Sequence, residues 1–287
     1  MKPVLFQIGR FPVSSFGVFL LLAFVVGILL LRARAARLRW DAGEVLDLSL
    51  YAIIGGVIGA RIGYVLVNWR DFATDPVRVL TIWRDAGLVF YGALLGGGAV
   101  AWLYGRRRGW GLGRIADAAA PGLALGYGIA MVGTLLYGLN YGRAAVLPWS
   151  VQLFGEPRHP TQIYLLVAAV AIFGVLVWRE QRPHPSGRVF WEFLVLYALA
   201  RIIVEFYMDS PRVFGPLTLA QGVNIAVAVL AGIVWAVLGK RSASAPGAVF
   251  ASSGLAHDPG RAPEGSLSGD APPRSGSMGS EVVGPRD

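Results

Sequence analysis

The sequence lacks the residues that most enzymes use for covalent and metal chemistry. It has no cysteine among 287 residues, which excludes disulfide bonds, thiolate metal sites and a cysteine nucleophile. Its three histidines, His159, His184 and His257, are too few and too scattered for a histidine zinc site inside an apolar span. Lysine occurs only at Lys2 and Lys240, so a lysine Schiff base to retinal within a helix bundle is also excluded.

Charge is scarce as well. Charged residues make up 15% of the chain and hydrophobic residues 55%, whereas about a quarter of an average soluble domain is charged. With a mean hydropathy of +0.57, these values exclude a disordered chain, a fibrous protein and an ordinary soluble enzyme. They predict an all-α, polytopic membrane protein. The net charge of +9 lies mainly in short loops, where it serves membrane topology rather than nucleic-acid binding.

Seven apolar stretches approach the length of about 20 residues that a helix needs to cross a bilayer. These predicted transmembrane helices cover approximately 13–31, 46–67, 88–105, 115–137, 162–178, 188–208 and 217–239. The loops on one side carry thirteen Lys and Arg and those on the other carry eight, so the positive-inside rule predicts an N-out, C-in topology. Ser, Gly, Ala and Pro dominate beyond the last span. We therefore predict a transmembrane domain over 1–241 and a disordered cytoplasmic tail over 242–287.

Glycines recur at helical spacing in two of these spans. Gly55, Gly59 and Gly63 form one stripe in span two, and span three is rich in glycine after Tyr91. Small residues let membrane helices approach closely, so most of these glycines predict tight packing. In span three they also predict a break near Tyr91 and Gly92 that lines a cavity.

Ionisable residues inside apolar spans are candidates for function because each is costly in hydrocarbon. They are Arg61, Asp117, Glu192, Arg201 and Glu205. Asp117 and Glu192 lie near the ends of their spans, where a solvated or capping role is an equal interpretation. Arg201 and Glu205 are four residues apart on one helix face. They form either an ion pair that only stabilises the helix or the polar wall of a substrate cavity, with Arg201 as an anion ligand.

Both of these arginines have a tyrosine nearby on the same helix face. Tyr197 precedes Arg201 by four residues and Tyr64 follows Arg61 by three, so each tyrosine shares a helix face with its arginine. A guanidinium stays charged in a low-dielectric site and offers a planar set of donors that fits a phosphate. A membrane cavity lined by Arg and Tyr therefore favours an anionic phospholipid as the ligand.

The loop between spans four and five contains further polar motifs. It holds Tyr141-Gly142-Arg143 and, later, Arg158-His159-Pro160-Thr161-Gln162-Ile163-Tyr164. His159 precedes a proline, so we expect it in a turn or an extended segment. It is either a hydrogen-bonded loop residue or a catalyst. Thr161 is expected to cap the following span.

Together these motifs make the chain resemble the prolipoprotein diacylglyceryl transferase family, from about Phe11 to Gly239. The ordered matches are Ser15-Phe16-Gly17, Gly59-Ala60-Arg61-Ile62-Gly63-Tyr64, Gly87-Leu88-Val89-Phe90-Tyr91-Gly92, Asp117 with Pro121, the two loop motifs, and Tyr197-Ala198-Leu199-Ala200-Arg201 with Glu205-Phe206. Each match is short, and the resemblance depends on their number and order.

The resemblance implies a membrane enzyme that begins bacterial lipoprotein maturation. It would move a diacylglyceryl group from phosphatidylglycerol to the lipobox cysteine of prolipoproteins and release glycerol phosphate. Its partners would be phosphatidylglycerol and prolipoprotein signal peptides, with no nucleic acid, no metal and no other cofactor, and its place would be the bacterial cytoplasmic (inner) membrane. The matched positions imply catalytic roles for Tyr91, Arg201 and Glu205, and substrate-binding roles for Arg61, Tyr64, Gly142, Arg143, His159, Gln162 and Tyr197.

The chain departs from the family pattern at several of the implied positions. Relatives usually carry Arg where this chain has Met131 and Asn where it has Thr134 and Tyr137, and many carry His in place of Tyr91. A Glu is common after the His-Pro-Thr-Gln motif, where this chain has Leu165. Two alternatives therefore stay open. One is a catalytically degenerate protein that binds phospholipid or signal peptide on the same scaffold, and the other is a small-molecule transporter.

Overall fold

The computed structural model describes residues 2–9, 11–73, 75–80, 89–153 and 155–243. Its helices are α1 (Ser15–Leu38), α2 (Ala42–Val67), α3 (Trp69–Ala73), α4 (Phe90–Arg107), α5 (Leu112–Tyr137), α6 (Thr161–Arg179), α7 (Arg188–Glu205) and α8 (Leu219–Ala243), with a 3-10 turn at Pro76–Val79. Three antiparallel hairpins connect them: β1 (Val4–Ile8) with β2 (Phe11–Ser14), β3 (Val151–Leu153) with β4 (Glu156–Arg158), and β5 (Arg212–Phe214) with β6 (Leu217–Thr218). The sequence did not predict these hairpins. From position 244 onward, the predicted tail over 242–287 lies outside the described residues.

The helical class is confirmed. Five of the described helices are long and apolar enough to cross a membrane, namely α1, α2, α5, α6 and α8. The other two helices of comparable length are less apolar, because α4 is rich in glycine and ends in arginines, and α7 carries four charged residues. Each of the seven predicted spans overlaps one of these seven described helices, but the count of seven membrane spans and the N-out orientation stay predictions.

The glycines of α2 and α4 bring the two backbones into direct contact. A Cβ added at Gly59 would lie 2.3 Å from the carbonyl oxygen of Gly92, and one added at Gly96 would lie 2.3 Å from that of Gly55. Tight packing at these glycines is therefore confirmed. The expected break near Tyr91 and Gly92 was wrong, since α4 begins one residue before Tyr91 and continues unbroken. Here glycine allows close approach without interrupting the helix.

Two acidic residues that the sequence singled out, Asp117 and Glu192, anchor the N-terminal part of helix α7. Asp117 of α5 is buried and accepts backbone hydrogen bonds from Gly187 at 2.6 Å and Phe190 at 2.9 Å. It therefore caps the N-terminus of α7, so the structure supports a capping role for Asp117. Glu192 pairs with Arg179 of α6 at 3.3 Å. With α8 packed along it as well, α7 presents its last turns in a fixed position.

Candidate active site

Arg201 and Glu205 form an ion pair in the last turns of α7. Arg201 Nη2 lies 3.0 Å from Glu205 Oε2, and the glutamate side chain is only 2% exposed. The i,i+4 spacing therefore correctly predicted the contact. Glu205 Oε1 accepts a hydrogen bond from Thr218 Oγ1 at 3.1 Å. Glu205 Oε2 meets Arg201 at ion-pair distance without an aligned hydrogen bond, and it has no other donor among the described residues.

Gly142 places Arg143 against the end of α7. The Gly142 amide donates to the His159 carbonyl at 3.2 Å, and the Arg143 amide donates to the Tyr207 carbonyl at 2.9 Å. A Cβ at position 142 would lie 2.5 Å from His159 Cβ and 2.6 Å from its carbonyl oxygen. Only glycine allows this approach, so the structure gives Gly142 a packing reason. Its predicted contact with substrate stays a prediction.

The Arg143 guanidinium points toward the carbonyls that follow α7. Its Nε donates to the Met208 carbonyl at 3.3 Å, and its Nη2 donates to the Phe206 carbonyl. Arg201 Nη1 contacts the sulfur of the same Met208 at 3.0 Å. Two of the three arginines that the sequence predicted at the site, Arg143 and Arg201, therefore meet around one residue.

A pocket of about 300 Å³ with both polar and apolar lining opens beside this cluster. Its walls include Arg143, Glu205, Met208, Arg212, Thr218 and Gln221. The volume is at the lower end of the range of about 300–1,000 Å³ that is typical of small-ligand sites. Arg201 adjoins the pocket through its contacts with two of the lining residues, Glu205 and Met208.

Two departures from the family pattern pack together beside Arg201. Met131 of α5 and Leu165 of α6 are both buried, and they form one apolar cluster with Val204 and Met208. The Thr134 hydroxyl donates to the Met131 carbonyl at 2.8 Å, so it faces its own helix. The expected positions of an Arg and a Glu are therefore filled by two apolar side chains in the same cluster.

His159 is held in a network of aromatic side chains. Its Nδ1 lies 3.1 Å from the Tyr164 hydroxyl, which accepts a hydrogen bond from Trp149 Nε1 at 2.8 Å. The ring of Tyr207 lies 5.1 Å from the imidazole, centroid to centroid. The residue follows β4 in a non-helical segment, as predicted. These contacts are those of a hydrogen-bonded loop residue, and its role toward a substrate stays a prediction.

The first residues of α6 fasten that helix to the loop after α5. Thr161 Oγ1 donates to the Asn140 carbonyl and Gln162 Nε2 donates to the Leu139 carbonyl, each at 2.6 Å. The expected capping role of Thr161 was wrong, since the capping position is Pro160 and no side chain caps this end. Thr161 is the first residue of α6 and follows the capping position by one residue. Its hydroxyl donates to a carbonyl outside its helix.

Arg158 supports this loop although the sequence analysis gave it no role. It donates to Asp209 Oδ2 and Glu156 Oε2 at 3.0 Å each, and to the Gly142 carbonyl at 3.2 Å. The hydrogen bond with Asp209 raises the pKa of the Arg158 guanidinium above its ordinary value. This charged pair joins the β4 strand to the residues after α7, so it stabilises the side of the pocket on which Arg143 lies.

The structure places Arg61 and Tyr64 against a different segment. Arg61 donates from Nε to the Val79 carbonyl at 2.9 Å and from Nη2 to the Arg78 carbonyl. Its guanidinium carbon lies 5.3 Å from the centre of the Phe72 ring and 5.6 Å from that of Tyr64.

Two further predicted residues lie on α7 and α4. The Tyr197 ring packs edge-to-face on Tyr127 of α5 at 5.1 Å. Tyr91 is in the first turn of α4, and its side chain lies outside the described residues.

Sequence reasoning missed the third side of the pocket, which comes from the β5–β6 hairpin and the start of α8. Thr218, Gln221 and Arg212 line it. A detectable signal was present, because Thr218-Leu219-Ala220-Gln221 has the spacing of a capping box before an apolar helix. Within the described residues, no three His, Asp or Glu side chains form a group that could bind a metal ion.

Comparison with known proteins gives a consistent result. A profile of the family described as prolipoprotein diacylglyceryl transferase matches residues 3–238. A Clostridium tetani protein named phosphatidylglycerol–prolipoprotein diacylglyceryl transferase is 30% identical over 221 residues, covering 74% of this chain and 87% of its own. Proteins of the same name from Geobacter sulfurreducens and Thermus thermophilus are 30% and 32% identical, over 86% and 83% of this chain and 98% and 99% of their own.

Proposed function

The chain belongs to the prolipoprotein diacylglyceryl transferase family, and we propose that it transfers a diacylglyceryl group from phosphatidylglycerol to the lipobox cysteine of prolipoproteins. The names of the relatives supply the lipid donor and the protein acceptor. The observation that carries the proposal is the ion pair of the half-buried Arg201 with the buried Glu205, which lines a pocket together with Arg143.

The reaction needs a site that binds a phosphate next to an apolar region. The cysteine sulfur bonds to the terminal glyceryl carbon while the bond from that carbon to the phosphate oxygen breaks. Glycerol phosphate leaves with the electron pair, and the thiol proton passes to a base. Negative charge therefore grows on the leaving phosphate, and positive groups that are already oriented toward it stabilise the transition state most.

Arg201 and Arg143 are suited to bind this phosphate. Arg201 is fixed by Glu205 at 3.0 Å, so its charge has a defined position before substrate arrives. The donors of Arg143 lie on backbone carbonyls at the pocket wall, and a phosphate oxygen is a stronger acceptor than a neutral carbonyl. Glu205 orients Arg201 in this scheme. The nearby Met131 provides no charge, so these two arginines supply the positive charge in place of the Arg expected there.

The transfer also needs a base that accepts the thiol proton. The family pattern assigns this position to Tyr91, and an unperturbed tyrosine has a pKa of about 10. Such a group is largely protonated at neutral pH and is a poor base, so it would need a nearby positive charge to act as one. In its protonated form, Tyr91 would instead position the lipid.

The proposed setting is the bacterial cytoplasmic membrane. Several apolar helices support a multi-pass membrane protein. The distribution of Lys and Arg supports seven spans with the N-terminus outside. This topology would place the pocket that Arg143 and Glu205 line toward the outer face, where a secreted prolipoprotein presents its cysteine. Phosphatidylglycerol would then enter the site from the bilayer.

A transfer assay tests the function directly. Purified full-length protein in liposomes that contain phosphatidylglycerol is incubated with a lipobox peptide, and glycerol phosphate release and peptide mass are followed. We expect one glycerol phosphate per modified peptide, no reaction with a peptide that has Ser in place of the lipobox Cys, and strongly reduced transfer in Arg143→Ala. If the folded protein binds phosphatidylglycerol but forms no product, the transferase proposal fails and the degenerate binding alternative replaces it.

A further inference from the structure

The start of α8 is closed by a reciprocal pair of hydrogen bonds between Thr218 and Gln221. The backbone N–H of Gln221 donates to Thr218 Oγ1, and the backbone N–H of Thr218 donates to Gln221 Oε1, each at 3.1 Å. This is a capping box, which pairs two backbone donors that have no partner within the helix. Both residues are buried, and both line the pocket.

The capping box determines where the Thr218 hydroxyl sends its only proton. The Gln221 amide occupies a lone pair of Oγ1, so the hydroxyl is an acceptor on that side. Its proton is then directed to Glu205 Oε1, 3.1 Å away. A hydroxyl has one proton to donate. The capped start of α8 therefore binds one oxygen of the Glu205 carboxylate and leaves the other 3.0 Å from Arg201.

We propose that Thr218 is a positioning residue for the transfer: it fixes the Glu205 carboxylate and, through it, the orientation of the Arg201 guanidinium at the pocket. The proposal rests on the proposed function of the same site. It gives the β5–β6 hairpin a role, because β6 ends at Thr218 and delivers its hydroxyl to a carboxylate thirteen residues earlier in the chain. Gln221 contributes by holding Thr218 in its rotamer.

The test compares two variants of Thr218 with a variant of the residue that caps another helix. Thr218→Val keeps the shape and removes the hydroxyl, whereas Thr218→Ser keeps the hydroxyl. We expect Thr218→Val to lower the transfer rate about 10-fold, the effect of about 1.4 kcal/mol on a barrier, and to weaken phosphatidylglycerol binding by a smaller factor. Thr218→Ser should restore both. Ser14→Ala is the control, because Ser14 caps α1 by accepting from the Gly17 amide at 3.1 Å and lies outside the pocket wall.

A double variant separates positioning from a general loss of structure. If Thr218 acts through Glu205, Thr218→Val should add little to the effect of Glu205→Gln, because coupled residues are not additive. Independent, multiplicative losses would overturn the proposal, as would equal activity of Thr218→Val and wild type. If the wild-type protein shows no transfer, the proposed function fails. The positioning claim is then judged by phosphatidylglycerol binding, and unchanged binding in Thr218→Val rejects it.

Discussion

Arg61 in α2 and Arg201 in α7 look alike in the sequence and differ in the structure. Each is an arginine in an apolar helix with a tyrosine on the same face. Arg61 is buried, and it donates to the carbonyls of Arg78 and Val79 in the segment that follows its own helix. Arg201 pairs with a carboxylate that lines a pocket.

The described surroundings of the two guanidinium groups differ. The Arg78 and Val79 carbonyls accept hydrogen bonds from Arg61, and the rings of Phe72 and Tyr64 add cation–π attraction at 5.3 and 5.6 Å. Such an arginine holds a chain segment against a helix. A carboxylate partner beside a pocket orients the guanidinium and leaves space for a second anion. Whether the guanidinium lies on a chain segment or beside a pocket therefore indicates the role of such an arginine better than its position in the helix does.

The largest expected effect comes from Arg201→Ala. Transfer should fall at least about 100-fold, as when a donor to developing transition-state charge is removed. Arg34→Ala is the matched control, because Arg34 pairs with Glu180 at 2.8 Å and its side chain is 11% exposed, compared with 17% for Arg201. Transfer is measured per folded protein, with thermal unfolding in detergent as the check. Full transfer by Arg201→Ala would remove the arginine from the mechanism and with it the main contrast to Arg61.

Gly59→Ala tests whether α2 is a packing element. The added Cβ would lie 2.3 Å from the Gly92 carbonyl oxygen, so the two helices must separate, at a cost of about 2–3 kcal/mol. Gly98→Ala in α4 is the control, since a Cβ there would meet nothing within 4 Å. The midpoint of thermal unfolding should be lower for Gly59→Ala than for wild type and unchanged for Gly98→Ala. Equal midpoints would mean that the α2–α4 contact contributes little to stability.

Arg61→Met should act mainly on stability. It leaves the Arg78 and Val79 carbonyls without their donor, a loss of about 1–3 kcal/mol. The unfolding midpoint should fall, while the protein that remains folded should lose far less transfer than Arg201→Ala does. The opposite result, a normal midpoint with a 100-fold loss of transfer, would support the sequence-based prediction that Arg61 binds substrate and would break the comparison.

Local spacing predicted the parts of the structure that depend on one helix. The Arg201–Glu205 contact follows from an i,i+4 pair, and the glycine stripe follows from the small residues that close helix approach requires. The hairpins were missed because their strands have two to five residues, too short for a clear alternating pattern. The glycines at their turns were the available signal. Gly9, Gly155 and Gly215 have φ angles of +62°, +83° and +59°, which favour glycine.

The candidate site could not be assembled from the sequence because its contacts join distant segments. Arg143 reaches the carbonyl of Phe206 across 63 residues. The capping box at Thr218 was readable from its spacing, but its contact with Glu205 depends on how the β5–β6 hairpin returns to α7. Likewise, Met131 and Leu165 appeared as separate departures from the family pattern, and only the fold shows them in one cluster.

Met131→Leu has the smallest expected effect and tests that cluster. The change conserves volume and polarity, so it should cost less than about 1.5 kcal/mol, and transfer should stay within about twofold of wild type. Leu165→Met is the reciprocal control, because both side chains are buried in the same apolar cluster beside Arg201. A tenfold loss in Met131→Leu alone, with unchanged unfolding, would show that the thioether acts on the substrate. Without that loss, Met131 serves packing, and the positive charge of the site comes from the arginines whose acceptors leave room for a phosphate.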